Sequence, residues 1–255
     1  MRSLQSIVAP IVLTAVLLAI WETVCHVLAV PTYLLPTPSE IARATVDNLP
    51  LLLTSAWNTL AVAVIAWVLA SLCAGGIALV VSLNDLLEDA VRPLAVMLQV
   101  TPIVALAPLV NIWAGLDHPE RGVIALAMVV AFFPIFSGVL TGLKAVDPDL
   151  ERLFDLYGAG RVQRVFRLRL PAALPYVLQG HKVAAGLALV GAVVAEFVAG
   201  SGGSQGLAWR IMEAEHRSQT AKMMAALAVL AVLALMLYAA LESAEQIILR
   251  RWRGR

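Results

Sequence analysis

Six long apolar runs, separated by short polar segments, set the pattern of this chain. Each approaches or exceeds the roughly 20 apolar residues that a helix needs to cross the hydrocarbon of a bilayer. The runs lie at about Ser6–Val30, Trp57–Leu83, Val91–Gly115, Gly122–Leu143, Leu178–Gly200 and Met223–Leu249. Because Pro93, Pro102 and Pro108 interrupt the third run, we expect that helix to bend and to lie in the interior, where neighbouring helices or water satisfy the freed carbonyls. The pattern predicts an all-α membrane protein, with six transmembrane helices in one domain over 1–255.

A short helix outside the membrane is predicted in the loop after the first run. Thr37-Pro38-Ser39-Glu40 fits a capping box, in which the threonine and glutamate side chains each accept a backbone N–H of the other residue. Proline at the first helical position loses no hydrogen bond, because the first N–H groups have no partner within the helix. The signature predicts a helix over about Pro38–Asn48 on the periplasmic surface of the membrane.

A central polar segment, 144–172, predicts a second surface helix. Asp147 can cap a helix that begins at Pro148, and Gly158 suits the left-handed residue that ends it. An apolar stripe at helical spacing consists of Leu150, Leu153, Phe154 and Tyr157, flanked by the charged residues Glu151, Arg152 and Asp155. The stripe needs a partner, which is either the rest of this chain and the lipid interface or a groove on a soluble protein.

Basic residues crowd the second half of the same segment. We expect another helical piece from about Arg161 to Leu170, with Pro171 marking the approach to the next membrane helix. Its arginines are Arg161, Arg164, Arg167 and Arg169. They are suited equally to salt bridges with a soluble partner and to anionic lipid headgroups, which attract each charge by about 1 kcal/mol.

Composition and charge support a membrane protein. Hydrophobic residues make up 61% of the chain and charged residues only 14%, with seven Lys and Arg between Lys144 and Lys182. A net charge of +1 gives no indication of nucleic-acid binding. Cys25 and Cys73 lie in different apolar runs, where we interpret them as small buried hydrophobes rather than a disulfide or a metal site.

The distribution of basic residues predicts that both termini lie in the cytoplasm. That orientation puts thirteen Lys and Arg inside and five outside. The loop Asn84–Arg92 departs from the trend, with three acids and one arginine, but acids weigh little in the rule. A cleaved signal peptide at the first run is an alternative, although Glu22 and His26 stand where small residues would precede cleavage.

The spacing within 144–172 resembles the cytoplasmic signature of ABC importer permeases. Gly158 is followed, after nine intervening residues, by Leu168-Arg169-Leu170-Pro171, which matches the glycine and the Ile/Leu-x-Leu-Pro tail of that signature. Arg152-Leu153-Phe154 stands where the family has Glu-Ala-Ala, and Glu151 and Asp155 are candidates for the missing acid. The phrase 35–41 and the span within Ala172–Gly200 look like corresponding segments of the nitrate/sulfonate/taurine-type permeases.

The resemblance implies the type I ABC importer permease fold in a bacterial inner membrane. It implies a homodimer of this chain, two ATPase subunits, and a periplasmic or lipid-anchored substrate-binding protein. It also makes 144–172 the element that couples the ATPase to alternating access. The residues expected to couple are Leu150, Glu151, Arg152, Leu153, Phe154, Asp155, Tyr157, Gly158, Arg161, Arg164, Leu170 and Pro171. ATP and Mg²⁺ would be bound by the ATPase and no cofactor by this chain, whose sequence has no Gly-x4-Gly-Lys-Ser/Thr loop.

Polar residues within the spans are candidates for a translocation path, because such groups are costly in hydrocarbon. Glu196 falls on an Ala-Glu-Phe phrase shared with the permeases, and its role is gating, solute contact or a structural hydrogen bond. Gln99, Thr101 and Asn111 surround the prolines of the third run, where they either line the path or tie broken backbone. Ser137 is expected to bond back to a carbonyl of its own helix.

Two other function classes are weaker. A stand-alone carrier or channel would not need the amphipathic segment, and no inverted repeat is visible. An intramembrane serine protease would need a Gly-x-Ser serine and a histidine within a later span, whereas Ser137 is preceded by Ile135-Phe136 and the last span has no histidine. The sequence leaves open five solutes: nitrate, an alkanesulfonate, taurine, a pyrimidine precursor and a flavin. The residues around Thr101-Pro102 and Gly191–Val194 resemble pyrimidine-precursor and flavin-type members more closely.

Overall fold

The computed structural model describes residues 2–115, 118–199 and 205–253, with side chains from 8 to 252 within those ranges. In this part of the chain the secondary structure is helical, without strands. The helices are α1 (Arg2–Val27), α2 (Pro38–Asp47), α3 (Leu49–Val81), α4 (Asp85–Val100), α5 (Ile103–Ala114), α6 (Pro119–Lys144), α7 (Pro148–Leu156), α8 (Arg161–Arg164), α9 (Leu170–Ala199), α10 (Leu207–His216) and α11 (Thr220–Arg253). A π-helical turn, Val165–Arg169, joins α8 to α9.

Five helices among the described residues are long and apolar enough to cross a membrane. They are Val8–Val27 within α1, α3, α6, the continuous helix Arg161–Ala199, and Thr220–Trp252 within α11. Together α4 and α5 form a sixth candidate, bent by 100° at the break between them. The predicted all-α membrane fold is confirmed, and the described residues contain five candidate spans, or the predicted six if the bent pair crosses the membrane as one.

The third span breaks at one proline rather than three. Pro93 and Pro108 lie inside α4 and α5, whereas Pro102 stands between the two helices. Thr101 adopts extended backbone, with φ −72° and ψ 126°, because a following proline disfavours the helical conformation. The Thr101 hydroxyl donates to the Met97 carbonyl at 2.6 Å and so caps the end of α4. The sequence prediction of a bend is correct, but its assignment to all three prolines is not.

The chain divides into two compact units, the first formed by Met1–Trp57 and Gln205–Val232. Here the predicted capping box is confirmed: the Thr37 N–H donates to the Glu40 carboxylate at 3.0 Å, and the Glu40 N–H donates to the Thr37 hydroxyl at 3.3 Å. The carboxylate of Glu22 on α1 accepts the Ser39 hydroxyl at 2.8 Å and pairs with His26 at 3.1 Å. These bonds hold α2 against the end of α1.

A buried arginine anchors α10 within the same unit. The Arg210 side chain donates to the Ser55 hydroxyl at 3.0 Å and to the Glu213 carboxylate at 2.8 Å. A guanidinium is tolerated in the interior when its donors are satisfied in this way. The hydrogen bond from Arg210 holds the pKa of Glu213 below its usual range.

The second unit comprises Asn58–Ser204 and Leu233–Arg255, and its core is the pairing of α6 with α9. Glycines allow the two helices to approach closely. A Cβ on Gly142 would lie 2.9 Å from the Ala173 Cβ, and one on Gly191 would lie 2.9 Å from the Ala127 Cα. Since lipid is as apolar as a leucine, membrane helices associate mainly through such close contacts between small residues.

Candidate functional site

The central polar segment folds into a capped helix, as its sequence predicts. The Asp147 carboxylate accepts the Asp149 N–H at 2.9 Å at the start of α7. At the other end Gly158 has a φ of +65°, which is the left-handed conformation expected there. Its N–H donates to the Asp155 carbonyl, and the Ala159 N–H donates to the Phe154 carbonyl, both at 3.0 Å. This pair of bonds is a Schellman motif, which satisfies the last carbonyls of the helix and reverses the chain.

Ion pairs fasten α7 to the helical piece that follows. The Glu151 carboxylate accepts a hydrogen bond from Arg169 Nε at 2.7 Å and lies 3.6 Å from Arg164 Nη1. Arg164 also pairs with Asp155 at 2.6 Å and donates to the Ala159 carbonyl at 3.1 Å. The side chains of Glu151 and Arg164 are each 22% exposed, so this network is partly shielded from water. The two halves of the segment therefore form one unit.

This network changes the interpretation of the basic half of the segment. Arg164 and Arg169 form ion pairs within the chain, whereas the sequence predicted contacts only with a partner or with lipid. Arg161 and Arg167 are exposed and form no ion pair with the described residues. Glu151 and Asp155 serve these internal pairs. The basic surface open to a partner is therefore smaller than the four arginines suggest.

Apolar side chains cover the opposite face of α7. Leu150 and Leu153 are 45% and 44% exposed, Tyr157 is 82% exposed, and Phe154 is half-buried. Leu156 is 85% exposed and adds to this surface, although it lies outside the stripe that the sequence indicated. We call Leu150, Leu153, Leu156 and Tyr157 the α7 apolar face.

The second helical piece does not end at Leu170. The chain continues through the π turn and Pro171 into α9, so that Arg161–Ala199 is one helix. Proline has no N–H to donate to the preceding turn, and in a π turn the bonding has already shifted, as shown by the Leu170 N–H donating to the Val165 carbonyl. The predicted end of this piece at Leu170 is therefore wrong, because the wider turn accommodates Pro171 within a continuous helix.

A polar cavity of about 370 Å³ lies beside this segment. It is lined by Arg161, Arg164 and Arg169 together with the α3–α4 connection, Ser82–Asp85. The acidic residues near that connection therefore lie close to basic ones. Further along α4 the buried Glu88 carboxylate, 3% exposed, accepts from Arg92 at 2.8 Å and from Lys144 at 2.7 Å. This second network ties α4 to the last residue of α6, just before α7.

Residues 66–254 match the family of binding-protein-dependent transport system inner membrane components. The chain belongs to this family. It is 32% identical over 253 residues to the formylaminopyrimidine transport permease protein ThiX of Halalkalibacterium halodurans, covering 99% of this chain and 98% of that protein. It is 30% identical over 226 residues to the putative aliphatic sulfonates transport permease protein SsuC of Bacillus subtilis, covering 87% and 79%.

The fold of the permease matches a solved transporter. A chain of the MetNI methionine ABC transporter, seen in inward-facing conformations, superposes with a TM-score of 0.67 at 18% identity, covering 81% of this chain and 98% of that one. The likeness shows the type I permease fold. The protein is thus a multi-pass inner-membrane permease of an ABC importer for a small solute, and a transport component rather than an enzyme.

The four residues predicted to line a path lie in different places within the permease. Glu196 is 2% exposed and accepts the Thr59 hydroxyl at 3.0 Å, which ties α9 to α3. Thr101 caps α4, and the buried Asn111 Oδ1 packs against Gly122. Of the four, Gln99 alone is among the described residues that line a cavity of about 380 Å³ between α4, α6 and α9. The sequence missed most of that cavity, because apolar spans do not reveal which faces meet.

Proposed function

We propose that 144–172 is the cytoplasmic coupling segment of this permease, on which a separate ATPase subunit acts. The observation that carries the proposal is the continuous helix Arg161–Ala199, to which α7 is fastened by the pairs of Glu151 and Asp155 with Arg164 and Arg169. A load on α7 therefore reaches a membrane-spanning helix without crossing a flexible joint. The α7 apolar face offers a helix to a groove on the partner.

The orientation proposed puts both termini and this segment in the cytoplasm. The position of the α3–α4 connection supports this choice, because its acidic residues lie beside the coupling arginines and Lys144. The excess of acids in Asn84–Arg92, which departs from the positive-inside trend, is then a local complement to basic residues on the same side.

The assembly proposed is two copies of this permease, two ATPase subunits and a substrate-binding protein, with ATP and Mg²⁺ held by the ATPase. Closure of the ATPase pair moves α7, the helix from Arg161 tilts, and α6 follows α9 because of their glycine contacts. The helix bundle has two conformations, open to one side of the membrane or to the other. Nucleotide and the loaded binding protein each shift the equilibrium between them, which is alternating access in thermodynamic terms.

The solute proposed is a pyrimidine precursor. Support comes from ThiX, which matches this chain over nearly its whole length, and from the sequence around Thr101-Pro102 and Gly191–Val194. The test is uptake of labelled formylaminopyrimidine by cells that express the importer, in competition with taurine and nitrate. Uptake that taurine or nitrate displaces at equal concentration would reassign the solute.

The docking surface is tested by Leu153→Asp, with the same change at the exposed Val46 of α2 as a control. A carboxylate on the α7 apolar face should release the ATPase in a mild-detergent pull-down, whereas Val46→Asp should retain it. Retention of the ATPase by both variants would show that the docking surface lies elsewhere.

The cap is tested by Gly158→Val, since a β-branched residue resists the left-handed conformation. We expect ATP hydrolysis to continue without transport. Gly158→Asn is the matched control, because asparagine tolerates that conformation. Normal transport by Gly158→Val would show that the cap is not needed for coupling.

A further inference from the structure

The cavity between α4, α6 and α9 gathers polar side chains within membrane-spanning helices. Gln99 of α4 faces it, as do Ser137 and Thr141 of α6 and Tyr176 and Gln179 of α9. In the part of the chain that the structure describes, none of the five has a hydrogen-bond partner, and Ser137 does not form the bond to its own helix that its sequence position suggested. Amides and hydroxyls left in this condition are costly against hydrocarbon.

Other spans present a different kind of surface. The exposed positions of α1 include Ile11, Leu13 and Leu17, as expected of a helix that faces lipid. The contrast indicates that the face formed by α4, α6 and α9 meets water or a polar solute instead. The five polar groups also come from three different helices, so they are not a feature of one helix alone.

The shape of the cavity depends on two glycines that line it. A Cβ on Gly138 would lie 3.0 Å from the Gly180 Cα, and one on Gly180 would lie 2.7 Å from the Pro134 carbonyl oxygen. The backbones of α6 and α9 therefore touch where these glycines line the cavity, which a side chain on either glycine would prevent. Phe133 and Tyr176 contribute aromatic rings to the same lining.

The chemistry of the lining restricts what it would accept. No Lys, Arg, Asp or Glu is among the described residues that line it. Arg92 lines an adjoining cavity that shares Phe133, Ser137 and Thr141, and it pairs there with Glu88 at 2.8 Å. An anion such as nitrate or a sulfonate would therefore lose its hydration without meeting a counter-charge in the lining itself, which is a large cost. The amides each offer donors and an acceptor, the hydroxyls offer both, and the rings offer flat apolar surface.

We infer that this cavity is a solute-contacting site of the permease, and that it selects an uncharged, planar solute with hydrogen-bond donors and acceptors. The inference rests on the proposed function, since it assumes that solute passes through this chain, and it deepens that function by locating charge selection in the membrane. Gln99, Gln179 and the three hydroxyls are the specificity-determining groups.

The first test is the reaction of single cysteines with water-soluble methanethiosulfonates, using the full chain in lipid nanodiscs. Cys25 and Cys73 are replaced by alanine, and cysteine is placed at Gln99, Ser137 or Gln179, with the exposed Leu72 of α3 as the lipid-facing control. Thiols react as thiolates, which form in water, so we expect the cavity positions to react at least about tenfold faster than Leu72→Cys. Equal rates would overturn the inference.

The charge of the reagent tests the solute class. A trimethylammonium-ethyl reagent and a sulfonato-ethyl reagent should react at the cavity positions in the same ratio as with a free thiol in water. A strong preference for the anionic reagent would reveal a positive field and overturn the assignment to an uncharged solute. These rates require neither ATP nor a transported solute, so they stand apart from the proposed function.

The second test is uptake of labelled formylaminopyrimidine in cells by Thr141→Val and Gln179→Leu, with Thr45→Val on α2 as the control. Each cavity variant should lower uptake about tenfold, the effect of one lost hydrogen bond of roughly 1.4 kcal/mol, with the permease present in normal amount. Uptake by the cavity variants at the wild-type rate would overturn the inference and leave the coupling proposal intact. Absence of wild-type uptake would overturn the named solute, and the labelling rates would then decide the cavity.

Discussion

Two helix pairs of the second unit meet the demands of the membrane in opposite ways. The pair α6 and α9 is drawn together by glycines until backbone touches backbone. The pair α4 and α5 is a single span broken by an extended dipeptide and turned by 100°. The first arrangement leaves no room for relative movement, whereas the second has two residues outside any helix. Movement of the bundle is therefore expected at Thr101-Pro102, with α6 and α9 travelling together.

The tight pair should be the more sensitive to added bulk. Gly191→Leu places a side chain where a Cβ would already lie 2.9 Å from the Ala127 backbone, which cannot withdraw. Overpacking of this kind costs about 3 kcal/mol, and we expect most of the folded protein to be lost. Folded yield is read from gel filtration in detergent. Gly186→Leu on the same helix, with open space around its Cβ position, should fold normally, and equal loss in both variants would contradict the role of the contact.

A charge cluster should extend the rigidity of α9 to the last helix. Lys182 donates to Glu242 at 2.7 Å and to Glu245 at 2.6 Å on α11, and its ammonium lies 5.8 Å from the centre of the Tyr238 ring. Lys182→Met leaves two carboxylates together without a cation, which should cost about 2 kcal/mol after allowance for their partial exposure. Thermal unfolding followed by tryptophan fluorescence measures this. The double variant Lys182→Met with Glu245→Gln should recover part of the loss, and no recovery would count against the ion pairs.

The broken pair should respond in function more than in folding. Pro102→Ala frees Thr101 to become helical and should let α4 and α5 approach one continuous helix. We expect normal folded yield and transport slowed about tenfold, since a hinge change alters turnover. Pro108→Ala, inside α5, is the control and should leave transport nearly unchanged. Equal slowing by both variants would mean that the break is not the moving part.

The smallest effect is expected at the cap of that break. Thr101→Val removes the hydroxyl that donates to the Met97 carbonyl and should cost about 1 kcal/mol of stability. Thr101→Ser keeps the hydroxyl and should retain most of it. Thermal unfolding of both variants decides the point, and equal stability of Val and Ser would show that the hydroxyl is dispensable.

Local rules explain what the sequence could predict. The capping box at Thr37 and Glu40, the Asp147 cap and the left-handed Gly158 each depend on residues within five positions of one another, and all three are present. The fold class followed from apolar runs, which need only length and composition.

Tertiary contacts explain what it could not. A proline in the sequence does not show whether neighbours support it, so Pro102 could not be separated from Pro93 and Pro108. The continuity of the helix through Pro171 needs a π turn that no spacing announces. Arg164 and Arg169 pair with acids of another helix, α7, and sequence spacing does not reveal such pairs. The lining of the cavity was found only in part, through Gln99, since Tyr176 and Gln179 join it by the packing of α9.

The ion pairs around Glu151 have a consequence for assembly of the importer. They hold α7 in its bent-back position within the isolated chain, before any other subunit is present. A partner that binds the α7 apolar face meets a surface whose conformational entropy was already lost when the chain folded, so binding carries little further ordering cost. Recognition then needs no folding of α7, and its rate should depend on diffusion and orientation rather than on a slow ordering of this segment.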